Sequence, residues 1–143
     1  GYYIDGGLEP HDPDAWFSTG DLVHVDDDGQ LTIFDRKKEM ILRGGYNVYP
    51  SEVEDVLSAH PAVSIAAVTA APHAELGQEV AAFVLLKSDV EVTAQELIDW
   101  CRNRLSLYKY PRILKIVDEL PLTPTGKVLK RALPVAELER EIS

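Results

Sequence analysis

From Leu22 onward the apolar residues fall into short runs with clear periods. Leu22 to Val25 and Leu31 to Phe34 flank Asp26-Asp27-Asp28-Gly29, which predicts a β-hairpin whose Asp-Gly pair supplies the positive-φ positions of a tight turn. Met40 to Leu42 and Tyr46 to Val48 flank Gly44-Gly45 and predict a second, smaller hairpin. Ser51 to Ala59 reads as a helix with the apolar stripe Val53, Val56 and Leu57; Ser51 and Glu54 have the spacing of a capping box, and His60-Pro61 ends it. Val63 to Val68 and Val80 to Leu86 are apolar runs of strand length. Thr93 to Leu105 reads as a second helix, with Thr93 and Glu96 repeating the capping spacing and Leu97, Ile98, Cys101 and Leu105 on one face. Ile113 to Val117 is a third strand, residues 120–127 form a proline-stiffened loop, and the tail to Ser143 is helical in pattern, interrupted at Pro134. Residues 1–15, rich in Gly, Asp and Pro, read as loop.

This order predicts an α+β domain, a small mixed sheet with helices packed on it, over residues 38–143. Residues 35–38 (D-R-K-K) are charged and lie between two apolar units, so they read as a joint. Residues 1–37, with the first hairpin, read as the trailing edge of something larger. The chain has no initiator Met, so its N-terminus is expected upstream.

Composition narrows the picture without naming a chemistry. The 143 residues are 45% hydrophobic and 27% charged, an ordinary globular balance. The net charge of −10 is lopsided: residues 1–36 hold nine acidic groups against one basic group, Arg36. A polyphosphate backbone needs a surplus of Lys and Arg, so nucleic acid is not expected as a partner. A single nucleotide needs only local donors and is not excluded. One cysteine permits no internal disulfide, and with four scattered histidines it argues against structural zinc, so no metal ligands are assigned. Cys101, on the apolar face of a helix, reads as core. No apolar run approaches the ~20 residues of a membrane span. No signal segment opens the chain, and a cytoplasmic location is expected.

Three segments carry candidate chemistry. Trp16 to Leu22 read W-F-S-T-G-D-L, which sets the Asp21 carboxylate at the mouth of a strand, where it can accept two bonds from vicinal hydroxyls. Residues 35–54 read D-R-K-K-E-M-I-L-R-G-G-Y-N-V-Y-P-S-E-V-E, with cations beside a carboxylate followed by Gly-Gly, a combination able to close on a phosphate or ribose. Residues 121–131 read P-L-T-P-T-G-K-V-L-K-R, with Lys127 on a stiffened loop where an ammonium can meet developing negative charge. Taken singly, each has an ordinary reading as a turn former, a solvated linker or a surface lysine.

Taken in order, the three blocks resemble the adenylate-forming superfamily: acyl-CoA synthetases, beetle luciferases and peptide-synthetase adenylation domains. Tyr108-Lys109-Tyr110-Pro111 is similar to the family's Tyr-Lys-x-Pro run, so the resemblance covers nearly the whole chain. Peptide-synthetase domains usually carry Leu-Gly-Glu where this chain has Pro50-Ser51-Glu52, and Gly-Gly-Tyr-Asn-Val-Tyr-Pro is similar to fatty-acyl and aryl CoA ligases.

The resemblance implies a large N-terminal domain and a small mobile C-terminal lid that together run two half-reactions. A carboxylate, expected to be a fatty acid, attacks the α-phosphate of ATP to give an acyl-adenylate; the thiol of coenzyme A then displaces AMP. It further implies that Asp21 binds the ATP ribose hydroxyls, that Arg36 contacts the same ribose–phosphate region, and that Lys38 is the hinge. Lys127 would stabilise charge during adenylation. Arg43, Gly44 and Gly45 would face the site in the thioester-forming pose, where bare glycine backbone lets a pantetheine arm pass close. The family's phosphate-binding loop, its Tyr-Gly-x-Thr-Glu segment that helps hold Mg²⁺, and its acyl pocket are not in these residues. The expectation is therefore a C-terminal fragment, inactive alone, that depends on the N-terminal domain. Two other readings stay open: a ligase loading a carrier-protein phosphopantetheine, and a non-catalytic module of the same fold.

Overall fold

A computed structural model of the chain describes residues 2–4, 7–9 and 18–138. β1 (Tyr2–Ile4) and β2 (Gly7–Glu9) pair antiparallel. The expected loop over residues 1–15 therefore contains a short ladder. Tyr2, Tyr3 and Ile4 favour extended backbone, a signal masked in the sequence by the surrounding Gly and Asp. Trp16 and Phe17, and the tail beyond Leu138, lie outside the described residues.

The first hairpin joins β3 (Asp21–Val25) to β4 (Leu31–Arg36), with Val23 opposite Ile33. Its connection is longer than the expected tight turn. Asp26 Oδ1 accepts the N–H groups of Asp28 and Gln30 at 3.1 and 2.8 Å, so an Asx-type loop closes the end. In that loop Gly29 alone takes a positive φ, +79°. The second hairpin, β5 (Ile41–Arg43) and β6 (Tyr46–Val48), is as expected. Gly44 and Gly45 have φ of +55° and +87°, the pair of left-handed positions that a two-residue connection of this kind requires.

β5 and β6 extend a five-stranded mixed sheet. β7 (Val63–His73) and β8 (Gly77–Leu86) form a long antiparallel pair, and β9 (Ile113–Val117) lies parallel to β8. The two long strands outrun the apolar runs that announced them. Pro72 is tolerated because β7 pairs with β8 alone among the described strands, leaving its other edge without a ladder. α1 (Pro50–Ser58) follows β6, and α2 (Ala94–Arg102) makes the crossover from β8 to β9 that a parallel pair needs.

The sheet has a core on each face. Val80, Ala82 and Val84 of β8 pack with Val53 and Leu57 of α1 and Leu97 and Cys101 of α2. The alternate residues, Ala81 and Phe83, pack with Leu120, Leu133 and Leu138. A C-terminal segment thus covers the second face, through a 3₁₀ turn (Lys130–Ala132) and the short helix α3 (Val135–Leu138) that Pro134 separates. Truncating Phe83, fully buried, to Ala is expected to cost ~3–5 kcal/mol.

The helix starts differ from each other. α2 forms the expected box: Thr93 Oγ1 accepts the Glu96 N–H at 3.2 Å, and Glu96 Oε2 accepts the Thr93 N–H at 2.8 Å. α1 does not. Pro50 takes the first helical position, where no N–H is needed, so Tyr49 is the N-cap and Ser51 falls two residues too late to cap. The Ser51 N–H and hydroxyl both donate to Asp35 Oδ2, at 3.2 and 3.0 Å. A carboxylate from the first hairpin therefore sits at the α1 N-terminus, where the helix dipole favours it. Glu54 turns instead to the Val68 N–H at 2.8 Å.

Candidate functional site

A cleft of about 510 Å³ opens between the first hairpin and the C-terminal segment, lined by Asp21, Ile33, Asp35, Arg36, Glu39 and Lys127. Three of these, Asp21, Arg36 and Lys127, are residues that the sequence singles out, one from each of the three separate blocks. Asp21 and Arg36 are cross-strand partners at the open end of β3 and β4, and their side chains meet at 3.4 Å. The Asp21 N–H reaches Thr19 Oγ1 at 3.3 Å, which ties the Thr-Gly-Asp turn together. Arg36 is 70% exposed, so its guanidinium is open to a ligand.

Lys127 stands on a tight turn. The Gly126 N–H donates to the Thr123 carbonyl at 2.9 Å, and Gly126 has φ +83°. The Lys127 N–H donates to Thr123 Oγ1 at 3.1 Å, and the Lys127 carbonyl accepts the Thr123 N–H at 2.7 Å. Leu122 and Val128 bridge below. Lys127 is thus an exposed side chain on a fixed backbone. Its ammonium has no ion-pair partner among the described residues.

Lys38 is exposed in a turn closed by the Glu39 N–H on the Arg36 carbonyl at 3.0 Å, between β4 and β5. Glu39 leads away from the cleft to Lys130, whose Nζ lies 2.9 Å from Glu39 Oε2 and 2.8 Å from Glu54 Oε1. Burial works against the Lys130 charge, but the hydrogen bonds and attraction of Glu54 and Glu39 outweigh it and hold its pKa above the ordinary 10.5.

The other predicted residues lie outside that cleft. Arg43 Nε donates to Glu79 Oε1, and Glu79 is almost fully buried. Arg43 is therefore committed to an internal ion pair, although its side chain also lines a smaller cavity of about 240 Å³ with Tyr46, Leu107, Tyr108 and Arg112. The rings of Tyr46 and Tyr108 stack there, 4.7 Å apart. Gly44 and Gly45 turn the hairpin beside it; a Cβ on Gly44 would stand 3.1 Å from Leu76 Cδ2. Sequence reasoning did not single out Glu39, Lys130 or Glu79. Their partners are 36 to 91 residues away, and no local period marks such pairs.

Cys101 is buried in the helix-side core, and burial pushes its thiol up to about 11. Among the described residues no three or more His, Cys, Asp or Glu side chains gather as a metal site. Among them, too, no helix is long and apolar enough to cross a membrane.

The chain belongs to the AMP-binding enzyme C-terminal domain family, whose model matches residues 52–127. It is 44% identical over 126 residues to a long-chain-fatty-acid–CoA ligase of Yersinia pestis, covering 88% of this chain and 22% of that protein. Among solved structures, a Mycobacterium tuberculosis fatty acyl CoA synthetase matches with a TM-score of 0.71 and 42% identity, over 84% of this chain and 24% of that one. ATP-bound MatB from Rhodopseudomonas palustris matches with a TM-score of 0.82 and 32% identity, over 92% and 26%. The mixed sheet and its helices are therefore the fold of the C-terminal domain of adenylate-forming enzymes. The chain spans about a fifth of the length of the curated relatives it matches.

Proposed function

We propose that this chain is the C-terminal part of an AMP-forming acyl-CoA synthetase that activates a fatty acid with ATP and passes the acyl group to coenzyme A. One observation carries the reading: Asp21, Arg36 and Lys127 line a single cleft, although Lys127 lies far along the chain from the other two. In the adenylation step the substrate carboxylate attacks the α-phosphorus of ATP, and pyrophosphate leaves. Negative charge spreads over the phosphoryl oxygens as the nucleophile arrives. Lys127, without an ion-pair partner among the described residues and presented on a fixed turn, supplies a compact positive charge there and helps hold the reactants in line. Asp21 accepts the ribose hydroxyls, and Arg36, largely open, contacts the ribose and phosphate. In the second step the thiol of coenzyme A displaces AMP from the acyl carbonyl.

The same reading divides the chain at the joint. Residues 1–37 form the edge of a larger domain, and residues 38–143 form a lid that turns about Lys38. Support comes from the first hairpin, where Val23, Val25, Leu31 and Ile33 are each at least 46% exposed and lie opposite one another across the strands. An apolar hairpin face of this kind fits packing against further protein. In the second pose the Gly44-Gly45 hairpin faces the site, and the cavity beside it, walled in part by the Glu79-bound Arg43, offers Arg112 and the stacked tyrosines to the nucleotide end of coenzyme A. Mg²⁺, with the phosphate loop and the acyl pocket, is assigned to the larger domain.

ATP–pyrophosphate exchange tests this. The intact protein is expected to exchange pyrophosphate only when a fatty acid such as palmitate is added, and residues 1–143 alone are expected to give background. Acid-dependent turnover by the isolated chain, or none by the intact protein with any fatty acid, contradicts the reading.

A further inference from the structure

Among the described residues, each carboxylate lining the Lys127 cleft is engaged by a group other than Lys127. Asp21 faces Arg36 at 3.4 Å, Asp35 accepts the Ser51 amide and hydroxyl, and Glu39 is held by Lys130 at 2.9 Å. Arg36 is the other cation lining the cleft among the described residues, and it is paired with Asp21. Lys37 and Lys38 stand exposed on the adjoining turn. The consequence is that Lys127 keeps its whole charge for a ligand. Of the three arrangements, the one at Glu39 depends on another lysine brought from the same C-terminal segment as Lys127.

Lys130 is well placed for this work. Its side chain is 22% exposed, and its ammonium is shared between Glu39 and Glu54. Glu54 is itself fixed by the Val68 N–H of β7, so the anchor is set by the sheet. At the base of the Lys127 turn, the Leu129 N–H donates to the Pro121 carbonyl at 2.7 Å, which passes the position of residue 130 back to the loop. Without Lys130, the Glu39 carboxylate would be the unpaired anion in the same cleft as the unpaired Lys127 ammonium. Opposite charges lining one cleft attract each other.

We infer that Lys130 is a positioning residue for adenylation: by occupying Glu39 and docking on Glu54, it fixes the Lys127 loop and keeps Glu39 from neutralising Lys127. The inference rests on the reading of Lys127 given above. It extends that reading to a side chain that touches no reacting atom.

The test uses the intact protein and three readouts. These are palmitate-dependent ATP–pyrophosphate exchange, thioester formation from supplied palmitoyl-adenylate, and labelling of Lys127 by acetic anhydride across a pH series, read by mass spectrometry. Lys130→Met is expected to move the Lys127 labelling profile to the alkaline side. It should cut exchange roughly ten- to a hundredfold, with thioester formation within about twofold of wild type. Lys130→Arg, which keeps the charge, should restore both labelling and exchange. Adding Glu39→Gln to Lys130→Met should return the labelling profile to that of wild type and recover most of the exchange. Lys130→Gln serves if the Met variant does not fold, and the same direction of shift is expected. An unmoved labelling profile in the folded variant, or failure of Glu39→Gln to reverse a shift, overturns the inference. So does an equal loss of both half-reactions. The labelling readout needs no turnover: if wild type shows no exchange with any fatty acid, the ligase reading fails while the Lys127–Glu39–Lys130 relation is still decided.

Discussion

Lys127 and Cys101 show how differently two reactive side chains are used by their surroundings. Lys127 is exposed, held by backbone bonds and free of ion pairs among the described residues, so its charge is available. Cys101 is fully buried between α2 and the sheet, with its thiol pushed up to about 11. Burial disfavours the thiolate, so the thiol stays protonated in the folded chain until strongly alkaline pH. At pH 8, iodoacetamide should therefore label Cys101 slowly in the native protein and quickly in denaturant. Equal rates in both states would contradict a core role. Cys101 reads as core from its helical spacing, whereas the Lys127 loop alone reads as a surface lysine and stands out only through the family resemblance. The carboxylate beside Lys127 and the lysine that holds it were not legible in the sequence. Glu39 and Lys130 read as members of charged runs, and only folding brings them to 2.9 Å.

At the scale of elements, identical spacing gave different outcomes. Thr93 and Glu96 form a reciprocal cap, whereas Ser51 and Glu54 do not, because Pro50 advances the start of α1. Thr93→Ala should cost about 1 kcal/mol of stability, measured by urea denaturation of the chain. Ser51→Ala should act through Asp35, across the joint. Since that contact links residues on either side of Lys38, the change should slow adenylation by about fivefold, a loss of about 1 kcal/mol, and leave thioester formation near wild type. An equal effect on both steps would count against a contact made in one pose. The strands were legible where branched side chains cluster. The ends of β7 and β8, with Pro72 and Gly77, were not, because their extended form is set by pairing with each other.

For the whole molecule, the order of elements and the α+β class follow from periodicity, while the division of labour depends on the joint. The C-terminal segment covers one face of the sheet with Leu120, Leu133 and Leu138 and in doing so delivers Lys127 to the cleft mouth. Covering the core and presenting the ammonium are thus done by one stretch of chain. On the proposed mechanism this ammonium acts in adenylation alone. The most direct measurement compares both half-reactions of the intact protein with and without Lys127→Ala. ATP–pyrophosphate exchange is expected to fall ~10²–10³-fold, while thioester formation from supplied acyl-adenylate keeps most of its rate and thermal stability is unchanged. Equal losses in the two half-reactions, with the protein still folded, would contradict it.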